Sequence, residues 1–482
     1  MHAAGRAGDG AHSPNRACVR VPWRRVPRSV AHATSIDATV ARALHAAPGG
    51  RVVVRAAAAM DAERAVGPAA AVLDASGVLT VDAPERVGSL AAPTVDLPGH
   101  VLLPPLVNAH AHLDLTSVGA IPFDGSFAAW AGRVRELRPA TPEAVDASVA
   151  EGVRRSVAGG TGFVGDIAGR FGLDAVRALR RHGGAAGLGG VAYVEAFGIG
   201  RAAAAGREFV AALRDQAPLA EDGIALGVSP HAPYSCDDSV YDAAARLGIP
   251  ASTHLAETID ELRFVREGTG PFVDLLRAVG AWDDSLRGWG CGPVARLARA
   301  LRAGRFSMAH LNYLCDAEFA ALRALCTGSG AAPGARPVPV YCPRASAFFG
   351  HPAAGHPPHR YREMLAAGIP VALGTDSAAV LGSAPTISVL DEMRLLRLRD
   401  RTDPRTLVAM ATVHGVEALG IDPARVRLPM DGRVGARAVI AVDAGAAAGQ
   451  SCDAAAVVAA ALEAGGGCSW IGIRGAAVTG AG

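Results

Sequence analysis

The chain has 482 residues, half of them hydrophobic and 19% charged, with a formal charge of +2. That composition supports a sizeable core, and a charge so near neutral argues against nucleic acid or an anionic membrane as a partner. All 47 basic residues are arginine, which excludes a Schiff-base lysine, a P-loop lysine and a carbamylated lysine bridging two metals.

Residues 1–33 are rich in Arg, Gly and Pro and lack hydrophobic periodicity. With no apolar core region they make a poor secretory signal, and the segment reads as disordered or as an early start. No unbroken apolar run approaches 20 residues, so no transmembrane helix is expected. The eight cysteines form no C-x-x-C pair, which suits a reduced, cytoplasmic protein.

From about residue 50 the text turns strand-like. RVVVRAAA, AAVLDASGVLTVD and PTVDLPGHVLLP place β-branched residues between Gly and Pro punctuation. ARAVIAVDAG and WIGIRGAAVTG near the far end have the same character. Residues 34–101 with 428–482 are therefore expected to form one small β-sandwich from both chain ends. Residues 102–427 alternate differently. Eight short apolar runs end in polar residues: HVLLPPLVNAHAH, TGFVGDIAG, GLGGVAYVEAFG, GIALGVSPHAP, GIPASTHLAE, GRFSMAHLN, ARPVPVYCPR and GIPVALGTDS. Amphipathic stretches such as PEAVDASVAEGVRRSVAGG, DAVRALRRHGG and DAEFAALRAL separate them. Strands alternating with helices predict parallel βα units, and eight of them predict an α/β fold of the (β/α)8 TIM-barrel type. In that fold the functional residues collect at the C-terminal strand ends.

The distinctive polar residues fall at those ends. His110 and His112 sit two apart in LVNAHAHLDL, so on a strand both face one side. Alone, they are either a polar intrusion in a core or half of a metal site. Run four ends with His231, run five with His254 and Glu257, run six with His310 and run eight with Asp376. A barrel gathers all of these around one mouth. Neutral imidazoles and one carboxylate are the donors of a catalytic zinc or ferrous ion that keeps a position open for water. Such an ion lowers the pKa of water from about 15.7 toward roughly 7. A nearby carboxylate can then take the proton and pass it on, and Glu257, three residues past His254, is placed to do so.

In this order, LPPLVNAHAHLDL, SPHAPY, THLAET, MAHLNY, YCPRASAFFG and ALGTDSA resemble the amidohydrolase superfamily. The similarity runs from about residue 50 to 445. It is closest to the mononuclear-metal branch of nucleobase and aminotriazine deaminases and chlorohydrolases, and within that to aminofutalosine-deaminase-like hydrolases. The resemblance implies one divalent metal per chain, zinc ahead of ferrous iron, held by His110, His112, His254 and Asp376. It implies Glu257 as general acid and base, His310 and Asp376 as contacts to the attacking water, and His231 facing the substrate. The expected reaction is hydrolytic deamination of an aminated heterocycle, an adenine-type nucleoside such as aminofutalosine, S-adenosylhomocysteine or methylthioadenosine. Removal of chloride from a triazine and opening of a cyclic amide are the alternatives, followed by a metal-binding protein without activity. A small-molecule substrate is implied, and a homodimer or homotetramer.

The chain departs from the family's usual strand-seven text. CPRASAFFGHPAAGHPPHRYREML carries Arg344 and the loop histidines His351, His356 and His359. Arg344 is read as a contact to a substrate anion, with a salt bridge as the alternative. The loop histidines are read as either substrate contacts or solvated groups. Asp166 and Glu195 end runs two and three and either line the pocket or make structural hydrogen bonds. Arg394, Arg397 and Arg399 read as the solvated side of a helix.

Overall fold

A computed structural model describes residues 33–472 apart from 89, 171, 217–222, 329–335, 446–450 and 452. The expected terminal segment thus lies outside the described residues, except that a helix already begins at Ala33 (Ala33–Ala46). No described helix is long and apolar enough to cross a membrane.

All eight expected runs form strands of one parallel sheet. In order around the sheet they are Leu106–His112, Thr161–Arg170, Gly189–Ala196, Ile224–Pro230, Ala251–Leu255, Phe306–His310, Val338–Tyr341 and an eighth strand in two pieces, Ala372–Leu373 and Asp376–Ser377. The first piece pairs with strand seven and the second with strand one, at Asp376 opposite Ala111, so the sheet closes into a barrel. The break falls at Gly374. A Cβ there would lie 2.8 Å from the His110 Cβ and 2.9 Å from the Cys342 Sγ. Only glycine lets the eighth strand pass that closely, so the break brings Asp376 beside the histidines of strand one.

Away from their C-terminal ends these strands are mostly apolar because both faces are covered. Strands five, six and seven are buried at every position. The helices that cover them carry legible start signals. Thr141 caps Pro142–Ala158 by accepting from the Ala144 amide, with proline at the first helical position. Asp174–Ala186 stops at Gly187, whose left-handed φ of 71° ends the helix.

The strands of both chain ends form one seven-stranded sheet, in the order Cys468–Gly472, Ala438–Asp443, Thr94–Leu103, Arg51–Met60, Ala69–Asp74, Gly77–Asp82, with Ala65–Val66 beside Arg51–Met60. It curls until its two edges meet, the Val78 amide donating to the Arg437 carbonyl at 2.8 Å. Its inner face closes over Val52, Val54, Leu102, Val439 and Ile471, with Val40 of the first helix. Its outer face joins the barrel core through Val101, Leu103, Ile440 and Trp470, and the Trp470 indole donates to the Val157 carbonyl at 2.8 Å. The sheet's strand runs to Leu103, two residues past the expected junction, and the first barrel strand starts at Leu106.

Arg394, Arg397 and Arg399 do not form one solvated face: Arg394 is buried and Arg397 half-buried, while Arg399 is exposed. Helix Val389–Asp400 packs against helix Ala454–Ala464. Arg394 pairs with Asp391 at 2.9 Å and donates to the Gly466 carbonyl, Arg397 reaches Glu463 at 2.9 Å, and Arg399 reaches Asp400 and the Tyr341 hydroxyl. The sequence pattern showed the polar side of the helix but not that a later helix lies against it.

Candidate metal centre and acid-base site

Strand-end geometry brings the expected donors together. The His112 Nε2 lies 3.3 Å from the His254 Nε2 and 3.4 Å from the Asp376 Oδ1. Four donors at ~2.0–2.1 Å from a tetrahedral ion stand about 3.3–3.4 Å apart, so this spacing fits one divalent metal. His110 joins the same cluster, its ring 5.0 Å from that of His112 and 4.9 Å from that of His254. Both of its ring nitrogens are buried without a hydrogen-bond partner among the described residues. An imidazole placed so would be costly in a plain core; a metal would satisfy it.

The protonation states agree with this. His254 Nδ1 donates to the His231 carbonyl at 3.0 Å. Its Nε2 in the neutral ring therefore turns a lone pair toward the cluster. Burial holds the His110 and His112 rings well below the usual imidazole range, and each neighbouring histidine adds to that. Burial likewise raises Asp376, so a cation here would relieve a buried carboxylate.

Glu257 stands beside the donors, close to His310 and Asp376. Its Oε1 is 3.6 Å from the His310 Nε2. Burial first, then the charges of Asp376 and Glu261, push its carboxyl well above the usual range. A buried carboxyl so placed is suited to proton transfer. Its backbone is held from both sides. Glu261 accepts from the Ala256 and Glu257 amides at 2.7 and 2.9 Å, and Asn312 donates to the Glu257 carbonyl at 3.1 Å. Ser346 in turn donates to the Asn312 side chain.

His231 flanks the cluster on the strand-four side. Its Nδ1 lies 2.8 Å from the Ser235 hydroxyl, which donates to the Ala232 carbonyl at 3.1 Å. The hydroxyl proton is thus committed, so the His231 Nδ1 donates to Ser235 and leaves Nε2 facing the site. That Nε2 is 3.9 Å from the Glu195 Oε1, and the ring stacks on Phe197 at 4.7 Å. A buried arginine anchors this loop. Arg296 donates to the Pro233 carbonyl at 2.6 Å, the Cys236 carbonyl at 3.1 Å and Asp238 at 2.8 Å, and stacks on Trp289 at 3.5 Å.

Arg344 does not enter the site. Its guanidinium pairs with Glu392, which is fully buried, and with Asp391 at 3.6 Å. It makes the ion pair of the alternative reading because helix Val389–Asp400 presents its acidic first turn to this arginine. The loop histidines separate. His359 is buried and stacked on Tyr341 at 3.7 Å, so it is not solvated. His351 and His356 meet the edge of Tyr313 at 4.9 and 5.2 Å. Asp166 accepts from the Leu113 amide at 2.7 Å. Glu195 accepts from Arg138 at 3.0 Å, and Arg138 also binds Asp114 at 2.9 Å. Sequence reasoning missed Glu261, Asn312, Arg296, Arg138 and Asp114. Of these, Glu261 carried a signal: Thr258-Ile259-Asp260-Glu261 is a T-x-x-E capping pattern.

Comparison with known proteins agrees with this architecture. Residues 101–424 match the sequence profile of the amidohydrolase family. The chain is 31% identical over 348 residues to the aminodeoxyfutalosine deaminase of Deinococcus radiodurans, covering 67% of this chain and 74% of that protein. An adenosine deaminase from Xanthomonas campestris with bound zinc superposes at a TM-score of 0.63 and 21% identity, over 86% of this chain and 92% of that one. An atrazine chlorohydrolase from Arthrobacter aurescens, also complexed with zinc, superposes at 0.61 and 19% identity, over 84% and 91%.

Proposed function

The chain belongs to the amidohydrolase family, and from that premise we propose that this hydrolase of carbon–nitrogen bonds deaminates an adenine-type nucleoside. The observation that carries the reading is a buried carboxyl, Glu257, held 3.6 Å from the His310 Nε2 beside the converging donors His112, His254 and Asp376. Ammonia leaves a heterocycle only once it has gained a proton, whereas chloride needs none. A carboxyl in this position can relay that proton from the attacking water to the departing nitrogen. The relationship to a protein named as an aminodeoxyfutalosine deaminase supports the same direction.

His110, His112, His254 and Asp376 would hold the ion, for which zinc is proposed ahead of ferrous iron. When bound, it supplies Lewis-acid activation of water near neutral pH. Glu257 takes a proton from the water as its oxygen bonds to the amino-bearing carbon. It delivers a proton to the adjacent ring nitrogen and then moves one to the departing amino group. Water is consumed, ammonia leaves and the ring keeps a carbonyl. His310 and Asp376 orient the water, and His231 faces the ring and fixes its orientation.

Ammonia release from metal-loaded protein is the test, against aminofutalosine, S-adenosylhomocysteine, methylthioadenosine, adenosine, guanine, cytosine and aminotriazines. Release from an aminopurine compound supports the reading. No release from any of them, with one metal bound per chain, would move the assignment to another leaving group.

A further inference from the structure

We propose that His359 is a positioning residue for this site: it holds the left-handed backbone turn at His310–Leu311 and, through it, the His310 imidazole. Strand six ends in two consecutive left-handed residues, His310 at φ 76° and Leu311 at φ 55°. Leu311 is not glycine, asparagine, aspartate or histidine, the residues that adopt this region most readily, and two left-handed residues in succession are uncommon. Such a turn persists only where the surroundings over-determine it.

Strand five supplies part of that restraint. The Leu311 amide donates to the Leu255 carbonyl at 2.8 Å and the Tyr313 amide to the Ala256 carbonyl at 3.1 Å. Both act on residues after His310. The carbonyl of His310 itself accepts from the His359 Nε2 at 2.8 Å. His359 comes from the loop after strand seven, 49 residues further on, so the contact is made by tertiary folding alone.

The clamp is determined at every atom. The Tyr361 amide donates to the His359 Nδ1 at 3.1 Å. Nδ1 therefore carries the lone pair and Nε2 the proton, which leaves the ring one orientation in which to donate. The ring lies flat on Tyr341 at 3.7 Å and 15°, and the Tyr341 hydroxyl accepts from Arg399 at 3.2 Å. Beyond the clamp, the His310 Nε2 sits 3.6 Å from the Glu257 Oε1. Relaxing φ at His310 to the ordinary negative range would swing its Cα–Cβ bond and carry the ring away from Glu257. His359 touches no reacting atom and acts only through that backbone.

The test compares His359→Ala with His359→Gln, whose amide nitrogen can donate from a similar reach. Two readouts are used: a crystal structure of each metal-loaded variant, and kcat, KM and metal content on whichever substrate the wild type deaminates. The kinetic readout rests on the proposed function; the structural one does not. In His359→Ala the φ of His310 should leave the left-handed region, and kcat should fall at least tenfold. KM should change less than twofold, with one metal per chain retained. His359→Gln should restore both φ and most of kcat. An unchanged His310 backbone in His359→Ala would overturn the proposal. So would a His359→Gln enzyme as impaired as the alanine variant, which would indicate lost packing rather than a lost donor. If the wild type deaminates nothing, the functional reading fails and the His310 backbone still decides the clamp.

Discussion

At the scale of single residues, the site separates groups that do chemistry from groups that only pair. Glu257→Gln keeps the side chain's size and removes its proton transfer. Turnover should fall by roughly 10²–10⁴ while elemental analysis still finds one metal per chain; surviving turnover would mean the acid-base assignment is wrong. Arg344→Ala should behave in the opposite way. It leaves the buried Glu392 without its guanidinium partner, with the backbone amide of residue 344 still donating, which costs up to about 3–5 kcal/mol. Denaturation should show that loss, while KM of the folded fraction stays near wild type. His359 provides a pH test. Burial holds its pKa in the folded chain down to about 3, against about 6.5 for a free imidazole. The unfolded chain therefore binds a proton between pH 6.5 and 3 that the folded chain does not, and stability is lost as pH falls through that window. Between pH 7.5 and 5.5 this group costs about 1.4 kcal/mol. His359→Gln should show a smaller stability loss over that interval by that amount in chemical denaturation.

At the scale of elements, the barrel mouth stores strain where the site lies. Ala256, His310, Leu311 and Asp376 all have left-handed backbone, each at a strand end that carries a proposed functional group. Buried polar side chains hold these turns: Glu261 at Ala256, His359 at His310, and Asn108 at Thr375, whose amide donates to it at 3.1 Å. The loop after strand four is held differently, by one guanidinium reaching three oxygens. An ammonium cannot reproduce that fork. Arg296→Lys should loosen the loop that carries His231 and raise KM by roughly tenfold, about the worth of one lost buried hydrogen bond, with kcat less affected. Equal loss in kcat with KM unchanged would instead place the effect on Glu257. The strands and many helix starts were legible because they depend on neighbours in sequence: β-branched runs for strands, Thr141 and Pro142 for a helix start. The strain was not, since a left-handed turn at a non-glycine residue leaves no local mark.

At the scale of the whole molecule, metal and fold are coupled. The orphaned nitrogens of His110 and the facing Nε2 atoms of His112 and His254 sit where a bound ion favours the folded state. At about 1,000 times its Kd an ion adds roughly 4 kcal/mol. Chelation should therefore lower Tm by several degrees, and zinc should restore it. His112→Ala should abolish the restoration; a Tm indifferent to metal would argue against the site. The sequence alone determined the eight-strand barrel and which histidines and carboxylates end its strands. Strand period and strand-end position are local properties, and eight βα units close in one way, so residues as distant as His110 and Asp376 meet. Only the tertiary structure decided what each remaining charged or aromatic side chain faces. Arg344 met Glu392 rather than a substrate, the arginines of Val389–Asp400 met a later helix, and His359 met a backbone carbonyl. A side chain's partner depends on what packs over it, and that is settled by contacts between segments far apart in the chain.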